Sequence, residues 1–150
     1  PLLHVSLVTT MGNTCAGPPP PVSVKLRVYD FTTKGLVANL NSLLSPVGTG
    51  AYHIGVQIFD QEWSYRKTDD GGTGIYCCPP CGDENHAYRE LLRVGKVEMT
   101  REDVEDVLVQ MRGEWMGRDF DLLHRNSCHF SNALCAQLGV DPVPEHLMKL

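Results

Sequence analysis

The sequence predicts a single α+β domain in which an antiparallel sheet packs against helices. Apolar and polar residues alternate with period 2 in several short runs through the middle of the chain, apolar residues recur at helical spacing toward both ends, and no internal repeat is visible. A chain of 150 residues is long enough for one domain with a true apolar core. Residues 22–150 are read as that domain and residues 1–21 as a disordered tail. The boundary is Gly17-Pro18-Pro19-Pro20-Pro21, a stiff extended spacer that enters neither a helix nor a central strand.

Val22, Val24, Leu26 and Val28 alternate with Ser23, Lys25 and Arg27, the pattern of a half-buried strand. Leu36, Leu40, Leu43 and Leu44 fall at helical spacing, and Ser45-Pro46 stops that helix. Residues 52–59 predict a second strand with Tyr52, Ile54, Val56 and Ile58 on one face and His53, Gly55, Gln57 and Phe59 on the other. Asp60-Gln61 turns the chain into a third strand over residues 62–65. The polar run 68–74 reads as an exposed loop of the kind that moves beside a site, and 75–78 and 88–93 read as shorter strands. Thr100, with Asp103 three residues on, opens a helix whose buried face is Val104, Val107, Leu108 and Met111 and whose end is Gly113. A connector over 115–123 leads to Asn126, the cap of a last helix carrying Phe130, Leu134 and Leu138 and closed by Pro142 and Pro144.

Composition narrows the function. A net charge of -5, from 13 basic against 18 acidic residues with no basic cluster, argues against nucleic-acid binding. No apolar run approaches the length of a membrane span. The six cysteines are irregularly spaced and follow no cleavable signal, which predicts free thiols in a reducing compartment, the cytoplasm or the nucleus. Were Met11 an initiator, Gly12 and Cys15 would be acceptors for myristoyl and palmitoyl chains, and two lipids would hold the protein at a membrane surface.

The chemistry centres on Asn126-Ser127-Cys128-His129-Phe130, which sets a hydroxyl and a thiol in the first turn of a helix. Thiol pKa values fall at helix N-termini, so Cys128 is a candidate nucleophile with Ser127 beside it; the alternative is a small core residue. His53, on a strand with Gly55 leaving room for approach, is the candidate base. Asn126 and the free N–H groups after it suit an oxyanion, and Gln57 and Ser64 are the nearest candidates to orient the histidine. His124 and His129 read as packing or positioning groups. Cys77-Cys78-Pro79-Pro80-Cys81 with His86 lacks the two separated pairs of a structural zinc site, so neither a metal nor another cofactor is implied.

Taken together, Val28-Tyr29-Asp30, Tyr52-His53-Ile54-Gly55-Val56, Glu62-Trp63-Ser64-Tyr65, Gly74-Ile75 and the run from Asp121 to Ser131 resemble the PPPDE, or DeSI-type, permuted papain-fold peptidases. The resemblance covers essentially residues 22–147. It implies a permuted papain-like fold and a thiol hydrolase whose histidine, matching His53, precedes its cysteine. It also implies isopeptide bonds of ubiquitin- or SUMO-like conjugates, or thioesters of acylated proteins, as substrates, and leaves a homodimer open. The family's run reads Asn-Cys-Asn-His-Phe, so aligning Asn126 and His129-Phe130 sets Ser127 at the family's cysteine and Cys128 one place beyond. Three readings stand at this point: Cys128 works after a small shift of the first turn, Ser127 is the nucleophile, or the site only binds. The similar Asn-Cys-Glu-His-Phe run of the lecithin:retinol acyltransferase group makes an acyltransferase or phospholipase a further alternative.

Overall fold

The computed structural model describes residues 17–31 and 51–149. The helix expected over 36–44 and the acylation candidates Gly12 and Cys15 lie outside the described residues. Five strands, β1 (Val22–Asp30), β2 (Tyr52–Ile58), β3 (Gln61–Tyr65), β4 (Ile75–Cys78) and β5 (Ala87–Val97), form one antiparallel sheet in the order β4-β3-β2-β1-β5. Three α-helices follow: α1 (Arg101–Arg112), α2 (Ser127–Leu138) and α3 (Glu145–Met148). This is the α+β class that the alternation predicts. None of the helices among the described residues is long and apolar enough to cross a membrane.

Registry explains the two faces of the sheet. Val24, Leu26 and Val28 of β1 stand opposite Ile58, Val56 and Ile54 of β2, and this row is fully buried beneath Val104 and Leu108 of α1 and Phe130, Leu134 and Leu138 of α2. Tyr65, Trp115 and Phe130 pack edge to face or tilted, with ring centroids 5.0 to 6.1 Å apart. The opposite face carries Tyr29, His53, Gln57, Glu62 and Ser64, polar side chains that are nevertheless buried. Their cover is the connection between β4 and β5, residues 79–86, which brings Cys81, Asp83 and His86 over the sheet.

Local signals account for most boundaries. Thr100 and Asp103 form the expected capping box of α1, and Gly113 ends it. Phe59-Asp60, with Phe59 at φ 56°, makes the β2–β3 turn, so β3 begins at Gln61, one residue before the expected start. The strand expected over 88–93 runs from Ala87 to Val97, through two register shifts against β1. Helix α2 ends at Gly139 in the left-handed conformation (φ 69°), ahead of the two prolines expected to stop it, because glycine adopts that cap without steric cost. The loop 68–74 is exposed at Asp69 to Gly71 but is pinned at its ends: Thr68 N–H donates to Gly117 O, Gly117 N–H to Gly72 O and Gly74 N–H to Trp115 O.

Asn126 Oδ1 accepts from Cys128 N–H (2.9 Å) and His129 N–H (3.2 Å), and His129 Nδ1 accepts from Asn126 N–H (3.3 Å), closing a second capping box. Asn126→Ala is expected to cost about 1–2 kcal/mol, at the upper end for a lost cap because the residue is buried, whereas Asn126→Asp should cost less. Urea unfolding of the three proteins measures this.

Candidate active site

His53 enters the site from β2 and is 3 % exposed. Its polar contacts among the described residues converge on Nε2: Tyr76 Oη at 2.9 Å, Ser64 Oγ at 3.1 Å and Asp83 Oδ2 at 3.1 Å. The network fixes the protonation of Nε2. Ser64 commits its proton to Ile54 O (2.7 Å) and Tyr76 commits its own to Asp83 Oδ2 (2.8 Å), so both hydroxyls face the ring as acceptors. Nε2 therefore carries a hydrogen, an assignment from the hydrogen-bond pattern.

Asp83 is the anionic centre of this arrangement. Burial pushes its carboxyl up, but hydrogen bonds from His53, the Asn85 amide and Tyr76 outweigh burial and hold it well below the usual carboxylate range. His86 donates from Nδ1 to the same oxygen at 3.1 Å and stacks on His53, with centroids 4.2 Å apart and planes within 2°. Burial lowers the His86 pKa, and the Asp83 carboxylate beside it acts in the opposite direction.

The donor atoms of His53, Asp83 and His86 lie within 4.8 Å of one another, and two imidazoles with a carboxylate form a donor set that zinc accepts. The ring orientation does not fit an ion. In two stacked, nearly parallel rings the in-plane lone pairs run side by side instead of meeting at one point. Asp83 Oδ2 is placed as an oxygen shared by three hydrogen bonds.

Ser127, at the first position of α2, is 3 % exposed, and its Oγ accepts from Ile54 N–H at 3.3 Å, the amide immediately after His53. Cys128 lies one position further round the helix, about 100° away. That rotation turns its sulfur inward, where Sγ donates to Tyr52 O at 3.3 Å, and burial pushes the thiol up to about 12. The lowered thiol pKa expected from a helix N-terminus is thereby reversed, because desolvation of the thiolate outweighs the favourable end of the helix. Asn126 takes the Cys128 and His129 amides for itself and accepts the Phe130 amide on its carbonyl, so the first-turn donor it leaves is Ser127 N–H.

Of the two candidates to orient the histidine, Ser64 contacts the ring, while Gln57 instead accepts from Arg27 Nε (2.9 Å) and donates to Phe59 O (3.3 Å). Asp83 and Tyr76 are not legible in the sequence as site residues. Their one signal there is the Asp83-x-x-His86 spacing after the cysteine-proline run, where His86 reads only as a partner of the cysteines.

A depressed folded-state pKa adds stability above the unfolded value of about 3.9 and loses it as pH falls further. Asp83→Asn is therefore expected to lower Tm at pH 5 and above, and the gap to the parent should shrink below about pH 4. Thermal unfolding across pH checks this.

The family model described as "PPPDE putative peptidase domain" matches residues 22–150. A DeSI-like protein of Schizosaccharomyces pombe is 28% identical over 131 residues, 86% of this chain and 64% of that protein. A DeSI-like protein of Arabidopsis thaliana is 26% identical over 127 residues, 85% of this chain and 54% of the relative. Desumoylating isopeptidase 1 of Homo sapiens is 29% identical over 136 residues, 89% of this chain and 77% of the human protein. The chain thus spans less than two thirds of the length of the fission-yeast and plant relatives. With a papain-like α+β architecture and a match over nearly all of the domain, the chain belongs to the PPPDE peptidase family.

Proposed function

We propose that this chain hydrolyses isopeptide bonds of ubiquitin- or SUMO-like conjugates, with Ser127 as nucleophile, His53 as general base and Asp83 orienting His53. The observation that carries the reading is the Asp83 carboxylate 3.1 Å from His53 Nε2, which occupies that nitrogen and gives Nδ1 the role of the base. The name of the human relative supports the class of bond. In the reaction, Ser127 Oγ attacks the carbonyl carbon while its proton passes to His53 Nδ1. The imidazolium returns that proton to the departing lysine amine, and water then hydrolyses the ester. Ser127 N–H is the donor available to the oxyanion. A protein thioester would undergo the same two steps with a thiol as leaving group.

Cys128 is the less favoured nucleophile on this reading, since its thiol is committed to Tyr52 O. A second reading, a module that binds conjugates without cleaving them, is favoured by one observation: no hydrogen bond joins Ser127 and His53 among the described residues, and Ser127 Oγ is held by Ile54 N–H instead. The test uses a SUMO or ubiquitin C-terminal amide carrying a fluorophore. Ser127→Ala or His53→Ala should lower kcat/KM by about 10³-fold, the scale of losing one member of such a set. Ser127→Cys should stay active and become sensitive to alkylation, and Cys128→Ala should stay within about threefold of the parent. Loss on Cys128→Ala with Ser127→Ala active would make Cys128 the nucleophile. Binding without turnover by the parent protein would favour the module.

A further inference from the structure

Glu62 on β3 is a carboxylate buried to 1 % exposure on the face that holds His53. Both its oxygens lie within hydrogen-bonding distance of Tyr29 Oη (2.7 and 2.9 Å), and Oε2 also accepts from Cys81 N–H (3.0 Å). Space for it comes from Gly55, where an added Cβ would fall 2.2 Å from Oε1. Cys81 sits at φ 63°, a conformation unusual for any residue but glycine, in a turn closed by Gly82 N–H on Pro79 O (2.7 Å). Two residues later, Asp83 reaches His53. A buried carboxylate is costly, and an apolar side chain of similar volume often serves stability as well or better. What an apolar residue would not supply is an acceptor oxygen for one particular backbone amide.

We propose that Glu62 is a positioning residue that ties the loop over residues 79–86 to the sheet through Cys81 N–H, and so sets Asp83 against His53 Nε2. The Glu62 carboxylate touches neither reacting atom and acts through Asp83. The inference rests on the Ser127–His53–Asp83 reading for its effect on rate, but not for its effect on the histidine.

The experiment is 15N NMR of the imidazole nitrogens in the full chain with labelled histidine, His53 being assigned by His53→Gln, together with the turnover assay above. The parent should show a protected His53 Nε2–H. Glu62→Gln, whose amide oxygen still accepts from Cys81, should retain that signal. It should be lost in Glu62→Ala and in Tyr29→Phe/Glu62→Met, a pair that removes both polar partners and keeps the volume, so that folding survives. Gly55→Ala, which pushes the carboxylate aside without altering its chemistry, should reproduce the loss. In turnover, Tyr29→Phe/Glu62→Met should lower kcat by 10- to 100-fold with KM within threefold, and combining it with Asp83→Asn should add nothing to the loss from Asp83→Asn alone. A retained His53 signal in Tyr29→Phe/Glu62→Met, or additive losses with Asp83→Asn, would overturn the proposal and leave Glu62 as packing. If the parent shows no turnover, the hydrolase reading fails and the NMR result alone decides the role of Glu62.

Discussion

The backbone of Ile54 is where the sheet, the last long helix and the site are fastened together. Its N–H donates to Ser127 Oγ, and its carbonyl accepts from both Ser64 Oγ and Ser131 Oγ. Serines from two different elements thus hold a single residue of β2. The β2–β3 pairing covers only Val56 to Ile58, so Ile54 lies beyond that ladder and its buried polar groups need other partners. Hydroxyls from α2 and β3 supply them. Shifting α2 by one position along its axis would break the Ser127 and Ser131 contacts together, since both lie on the helix face that meets β2. The site's geometry therefore depends on helix register as much as on side-chain identity.

The second constraint is that both faces of the sheet are buried, but by different means. The helical face uses apolar volume and tolerates volume-conserving exchange. The His53 face uses a chain of hydrogen bonds, Tyr29 to Glu62, Cys81 N–H to Glu62, then Tyr76, His53 and His86 to Asp83. Such a network fixes one arrangement, because each group left without a partner loses its compensation for desolvation. Glu62 shows the strain of this solution: burial raises its pKa, against the hydrogen bonds from Tyr29 and Cys81.

Much of this is readable from local pattern. Alternation in Val22 to Val28 and in Tyr52 to Ile58 marks the core rows, and Thr100 and Asn126 announce their helices because a cap depends only on residues three apart. His53 is legible for a similarly local reason, a histidine on a strand beside a glycine. Asp83 and Tyr76 are not, since their meaning arises only when β4 pairs with β3 and the following loop folds back across the sheet. For Cys128 the missing information is of another kind. The sequence places it in a first turn, where the helix end favours a thiolate, but not which side of that turn faces the protein, and burial reverses the direction of its pKa.

Papain-like proteases pair a cysteine with a histidine and an asparagine. On the proposed reading the nucleophile is instead Ser127, and a carboxylate, Asp83, contacts the histidine at Nε2. On that reading these two differences belong together. A thiol is already partly ionised near neutral pH and asks little of its base, whereas a hydroxyl must lose its proton to the imidazole as it attacks. The imidazolium formed in that step is stabilised far more by an adjacent carboxylate than by a neutral amide, because its new charge faces a full negative charge across a buried hydrogen bond. A serine paired with a histidine that only a neutral amide orients would be poorly activated. The low Asp83 pKa, the hydrogen on His53 Nε2 and the hydroxyl at the start of α2 therefore form one chemical argument, in which the acid is matched to the harder nucleophile.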